Sequence, residues 1–225
     1  METGNGTRTL RVLLADDEAM MRAGLRAILS AASGFEVVGE AADGAEAVSL
    51  TAEHRPDLVL MDVRMPRMNG LDAAEAIAAA HPATSVVVLT TFGEDAYIER
   101  ALSGGADGFV LKTGDPHQLV AGLRAVADGG AYLSPDVARR VVGLLDASSP
   151  RRSRSARARE RVDRLTARER QVLVLVGEGC SNDEIARRLD IAAGTVKVHV
   201  GSILTRLGVD NRVRAAILAY EAGLL

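Results

Sequence analysis

A chain of 225 residues is long enough for one large domain or two ordinary ones, each closing its own core without staples. Its one cysteine rules out an internal disulfide, and no apolar run nears the ~20 residues that cross a bilayer, so disulfide scaffolds and helical membrane proteins drop out. The net charge of -3 conceals unlike parts: residues 1–150 carry 12 Lys and Arg against 21 Asp and Glu, whereas residues 151–225 carry 15 against 9, so the basic part is the one suited to a polyanion.

The acidic part alternates between two periods. Leu10–Ala15, Phe35–Gly39, Leu58–Met61, Ser85–Leu89 and Gly108–Leu111 are apolar runs of strand length, and between them Glu18–Ala31, Gly44–Glu53, Leu71–Ala80, Asp95–Ser103 and Pro116–Ala127 have helical spacing. Five strands alternating with five helices predict an α/β fold with a five-stranded, doubly wound parallel sheet. Burial on both faces explains why the strands are continuously apolar.

In such sheets the functional crevice lies at the carboxyl ends of the strands. The first strand ends in Asp16-Asp17, the third in Asp62, the fourth in Thr90-Thr91 and the fifth in Lys112. Carboxylates that converge at one edge repel one another and are costly to hold charged without a cation. Mg²⁺ removes that conflict, because it uses few protein carboxylates and leaves positions for phosphate oxygens and water. Asp62 is then a candidate phosphoryl acceptor, Thr90 a hydrogen-bond donor to the phosphoryl oxygens, and Lys112 a neutralising charge. Taken singly, each has an ordinary role as helix cap, strand end or solvated charge. Their placement at four strand ends is what joins them.

Ser148–Arg164 holds seven arginines and almost no large apolar side chain, too little to order itself alone. It reads as a solvated connection or as a basic arm that touches nucleic-acid phosphates. Beyond it, Thr166 and Glu169 form a capping box that opens a helix through about Val176, stopped by Gly177 and Gly179. Cys180 reads as a small buried residue. Ser181 or Asn182 caps a short helix over 183–189; after a turn at 190–193 a longer helix runs to about Leu207, with Val196, Val200, Ile203, Leu204 and Leu207 as its apolar stripe, and Asn211–Ala222 forms a fourth. A short helix, a tight turn and a longer helix with a polar face is helix-turn-helix spacing, which places the longer helix to enter a major groove.

Two resemblances follow. With Asp16, Asp17, Asp62 in "MDVRMP", Thr90 and Lys112 in these positions, residues 9–128 resemble the flavodoxin-like receiver domain of two-component response regulators. The resemblance implies that Asp62 is the phosphoacceptor, that Asp17, Asp62 and the Arg64 main-chain carbonyl ligate Mg²⁺, and that Asp16 assists indirectly. It also puts Phe109 where the family has an aromatic switch residue, although a plain core aromatic fits there equally. Thr113 stands where many receivers have Pro.

Through "LTARERQVL", "SNDEIARRL", "TVKVHV" and "LGV", residues 165–225 resemble the LuxR/NarL-type four-helix DNA-binding domain, with 129–164 as a helix-containing basic linker. The resemblance points to Lys197, Val198 and Gly201 as groove-facing residues, and to Thr195, Arg187, Arg188 and Arg206 as phosphate contacts; His199 is a packing or phosphate-contacting residue. Ala192 replaces the Ser that often caps the recognition helix, and Gly194 and Gly201 lower helix propensity there. Together the resemblances imply a response regulator that a sensor histidine kinase phosphorylates. As implied, it would be a cytoplasmic transcription factor, homodimeric when active, on double-stranded promoter DNA. A hydrolase built on the same acidic cluster commonly needs a second Asp two residues after the nucleophile, and Arg64 stands there.

Overall fold

The structure is a computed structural model that describes residues 9–90, 100, 104–112, 114–133, 151–209 and 211–225. Thr91, Thr113 and, apart from Arg100, the helix expected over Asp95–Ser103 lie outside the described residues. Each apolar run becomes a strand: β1 Leu10–Ala15, β2 Phe35–Ala41, β3 Leu58–Asp62, β4 Ser85–Thr90 and β5 Gly108–Leu111. A short sixth, β6 Tyr132–Leu133, extends the sheet beyond the five strands expected; at two half-buried residues it carries no apolar run to read. All pairings are parallel, in the order β2-β1-β3-β4-β5-β6.

The connecting helices are α1 Ala19–Ala31, α2 Gly44–His54, α3 Gly70–Ala80 and α4 Pro116–Ala127. Side-chain capping fixes three of their starts: Asp43 accepts from Glu46 N, Asn69 from Leu71 N and Asp72 N, and Asp115 from His117 N ahead of a Pro that suits the first turn. Because successive strand side chains point to opposite faces, the sheet feeds two cores. Leu13, Val59, Met61 and Phe109 meet Ile77 on one side; Val12, Leu14, Leu60 and Leu123 meet on the other.

The basic part is all helical: α5 Arg151–Val162, α6 Ala167–Gly177, α7 Asn182–Leu189, α8 Ala193–Leu207 and α9 Arg212–Ala222. The arginine-rich stretch orders by docking. Ala158 and Val162 of α5 are buried in the same cluster as Val172, Leu173, Ile203, Leu207 and Ala219. Arg159 Nε donates to the Ala222 carbonyl at 3.1 Å and Arg161 Nη2 to the Gly208 carbonyl at 3.1 Å, so two arginines satisfy the C-terminal ends of α9 and α8. Both capping boxes, Thr166/Glu169 and Ser181/Glu184, are formed, and Cys180 is buried.

Candidate functional site

The register sets the site. Ala15 pairs with Met61, Asp62 with Leu89 and Thr90 with Leu111, so the carboxyl ends of β1, β3, β4 and β5 finish level. Asp16 is fully buried, Asp62 is 6% exposed and Thr90 4% exposed, while Asp17 is exposed. One carboxylate oxygen from each of Asp16, Asp17 and Asp62 lies within 4.8 Å of the others. Lys112 reaches in from the end of β5, its Nζ 2.8 Å from Asp16 Oδ2 and 2.9 Å from Asp62 Oδ1, and its backbone N–H donates to the Thr90 carbonyl at 2.9 Å.

The electrostatics follow from two carboxylates sharing one ammonium. Burial works against the Lys112 charge, but the hydrogen bonds to Asp16 and Asp62 outweigh it and hold the ammonium above its ordinary range. Burial pushes the Asp62 carboxyl up, aided by the charge of Asp16 and opposed by Lys112. A site with excess negative charge that one lysine does not balance suits a further cation.

Asp16 also serves the ordinary role considered for it: its Oδ1 accepts from Glu18 N at 2.9 Å, while Glu18, at the N-cap of α1, makes no side-chain cap. After Asp62 the chain turns through the exposed Arg64 and folds back. Gly70 N donates to the Val63 carbonyl at 2.9 Å, and a Cβ on Gly70 would run into the Asp62 carbonyl, so only glycine lets α3 start this close to the strand end. Phe109 is 1% exposed and packed in the core on the Ile77 side of the sheet.

In the helical part, α8 buries Val196, Ile203 and Leu207, while Thr195, Lys197, Val198 and Gly201 are exposed on it and His199 is half-buried. Val198 is 68% exposed. Arg187 is exposed, Arg188 pairs with Glu178 at 2.6 Å, and Arg206 pairs with the capping-box Glu169 at 3.3 Å. Burial of Glu169 is outweighed by the bonds from Thr166 and the charge of Arg206, which hold it below the usual carboxylate range.

Val200 and Leu204, expected in the stripe of α8, are half-buried; with Asn182, Lys197 and Gly201 they line a crevice against the receiver residues Leu10, Pro56 and Ser85. Sequence reasoning missed Arg212, whose guanidinium bridges the two parts of the chain. Nη1 donates to the Gly129 carbonyl and to Asn182 Oδ1, each at 2.7 Å, and Nη2 donates to the Cys180 carbonyl.

Comparison with known proteins agrees over both parts. Residues 12–124 match the response regulator receiver domain, and residues 163–219 match the bacterial regulatory proteins of the luxR family. The response regulator protein VraR of Staphylococcus aureus is 37% identical over 217 residues, covering 96% of this chain and 99% of its own. The uncharacterized transcriptional regulatory protein YxjL of Bacillus subtilis is 35% identical over 216 residues, covering 96% and 97%. Among solved structures, the response regulator ChrA of a heme-sensing two-component system is 33% identical over 96% of this chain and 99% of its own, with a TM-score of 0.54. A structure of two RcsB dimers bound to two parallel DNAs is 25% identical over 95% and 99%, with a TM-score of 0.56.

Proposed function

Because the chain belongs to the response regulators that couple a receiver domain to a LuxR-type DNA-binding domain, we propose that Asp62 is its phosphoacceptor and that a partner histidine kinase supplies the phosphoryl group. The observation that carries this reading is the shared Lys112 ammonium, 2.8 Å from Asp16 and 2.9 Å from Asp62, beside Thr90 on the next strand. An Asp62 carboxylate oxygen attacks phosphorus, a P–O bond forms, and the P–N bond of a phosphohistidine donor breaks with its electron pair left on the imidazole. Lys112 holds charge against the phosphoryl oxygens, and the Thr90 hydroxyl donates to one of them. Asp17, Asp62 and, indirectly, Asp16 fit Mg²⁺: their carboxylate oxygens converge within reach of one ion and Asp17 opens to water, with the Arg64 main-chain carbonyl the further ligand that the family resemblance implies. When bound, Mg²⁺ neutralises charge that develops on the phosphoryl oxygens. Phe109 is the packed aromatic that responds when Thr90 engages. The chain's own chemistry is confined to this self-phosphorylation and its reversal.

The phosphoryl charge then biases the receiver toward a state that frees the helix-turn-helix domain. Freed α8 enters a major groove with Lys197, Val198 and Gly201 toward base edges, and Thr195, Arg187, Arg188, His199 and Arg206 toward the backbone. The structure of RcsB dimers on DNA supports a homodimer on paired half-sites, and Tyr220, 51% exposed on α9, is the apolar surface that helix offers a second copy. Work on chromosomal DNA assigns the protein to the cytoplasm; among the described residues no helix is long and apolar enough to cross a membrane. The deciding experiment is phosphodonor labelling of Asp62→Asn. Loss of the acyl-phosphate supports the assignment, and undiminished labelling overturns it.

A further inference from the structure

The connection from β1 to α1 carries Asp16 and Asp17, and Asp16 is tied through each of its polar groups. Its N–H donates to the Ala41 carbonyl at 3.1 Å, its Oδ1 accepts from Glu18 N, and its Oδ2 pairs with Lys112. Its carbonyl accepts from Arg22 Nη1 at 2.6 Å. Arg22 lies in the first turn of α1, where its backbone N–H bonds to the Glu18 carbonyl at 3.1 Å, so its side chain reaches back to the loop that precedes the helix. The same guanidinium donates from Nε to Glu40 Oε2 at 3.0 Å. The other carboxylate oxygen, Oε1, accepts from Arg26 Nε at 2.8 Å, one turn further along α1. Glu40 stands on β2 opposite Leu14, two residues before Asp16. The hydrogen bond from Arg26, with that from Arg22, outweighs burial and holds the Glu40 carboxyl below the usual range, so it stays a charged anchor.

We propose that Arg22, steadied by Glu40, is a positioning residue for the metal site: it fixes the peptide between Asp16 and Asp17 and thereby the direction from which Asp17 meets a divalent cation. This deepens the Mg²⁺ reading above, on which it rests. A peptide unit is planar, so a hydrogen bond to the Asp16 carbonyl also fixes the Asp17 N–H and the backbone from which the Asp17 side chain leaves. Asp17 is the member of the cluster that needs this support, being exposed where Asp16 is fully buried and Asp62 is 6% exposed. Arginine suits the task because Nε and Nη1 belong to one rigid plane and serve two acceptors at once, whereas lysine has a single nitrogen. Glu40 offsets the guanidinium charge, so the donor stands beside the acidic cluster without opposing a cation there. Charge and positioning predict opposite signs. Removing a guanidinium near three carboxylates leaves the site more negative and by itself tightens cation binding, whereas removing the support of a ligand weakens it.

The test uses the full, unphosphorylated chain and two measurements. Mn²⁺ alone is titrated in, with the free ion read by electron paramagnetic resonance, and hydrogen exchange of the Asp17 and Glu18 amides is followed by NMR without metal. Arg22→Met keeps the aliphatic stem and removes both hydrogen bonds. Glu40→Ala frees Arg22 from its anchor by a different route and guards against misfolding of the first. Expected are faster exchange of the two amides in both variants and about tenfold weaker Mn²⁺ binding in Arg22→Met. Arg22→Lys should recover part of that affinity through the Asp16 carbonyl. Unchanged exchange in both variants overturns the positioning, and unchanged or tighter Mn²⁺ binding in Arg22→Met overturns its consequence for the metal. Arg22→Lys no better than Arg22→Met overturns the carbonyl bond as the means. Asp17→Asn is titrated beside them: parent-like Mn²⁺ binding there refutes the metal reading itself, while the exchange result, taken without metal, stands or falls separately.

Discussion

Lys112 and Asp62 form a buried ion pair at 2.9 Å, and the same ammonium is bonded to Asp16 at 2.8 Å. Its removal leaves two buried carboxylates without their common partner at the point where a dianionic group must arrive. Lys112→Met is therefore expected to slow phosphodonor-dependent labelling of Asp62 by about 100-fold, on the scale of losing one preorganised charge-stabilising donor. Initial rates of phosphate incorporation check this, and a rate equal to the parent's contradicts the role assigned to the lysine.

Ala192 holds the N-cap position of α8 with φ -71° and ψ 144°, the extended geometry a capping residue needs, yet makes no side-chain cap. Ala192→Ser supplies the missing acceptor to an N–H in the first turn of α8. A gain of about 1 kcal/mol in denaturant unfolding is expected. A neutral or negative change would show that the helix start is already satisfied.

Helix α5 is anchored by Val162, 2% exposed, and by the arginines that reach the ends of α8 and α9. Val162→Ala is expected to cost about 2 kcal/mol through the cavity it leaves, and the loss should fall in the unfolding transition of the DNA-binding domain. Calorimetry of the full chain locates it; a shift confined to the receiver transition would refute the docking.

Asp107 supplies a pH signal away from the acidic cluster. It precedes β5, its Oδ2 accepts from Val86 N at 3.0 Å, and burial pushes its carboxyl from 3.8 up to about 6. The folded chain thus binds this proton more tightly than the unfolded one. Its contribution to stability is full below pH 4 and declines as pH rises toward 6, by up to about 3 kcal/mol. Asp107→Asn should flatten that decline in urea midpoints taken across the interval, and an unaltered pH profile would assign the dependence to other groups.

Lys197 is exposed on α8. If it faces base edges as proposed, Lys197→Ala should change the preference among duplex sequences in a gel-shift with little change in the slope of log affinity against log salt. A loss uniform across sequences with the slope lowered by about one would assign it to a phosphate instead.

The level strand ends were legible because each is an apolar run followed at once by a polar residue of distinct chemistry: Asp16, Asp62, Thr90 and Lys112. The capping boxes at Thr166 and Ser181 were legible because both partners lie within three residues. Strand β6 left no trace, since two residues against the sheet edge need no periodic pattern. The docking of α5 was obscured by its arginines: among its described side chains Ala158 and Val162 face the core, and an argument from composition weighs the whole segment while packing uses one side. Arg212 was hidden for a further reason. A buried arginine normally advertises itself by a carboxylate partner, and this one is bonded to carbonyls of Gly129, Asn182 and Cys180, which have no sequence signature.

The docking of α5 also limits how far the two domains can part. With α5 fixed to its own domain from Arg151, only residues 134–150 separate it from the end of β6, and a fully extended chain of that length spans at most roughly 60 Å. The Gly129 carbonyl therefore faces Arg212 at an effective concentration in the millimolar range, so their contact forms as a unimolecular event independent of how much protein the cell holds. A contact of one hydrogen bond and a few apolar side chains, too weak to join two separate molecules, is strong enough between two tethered ones.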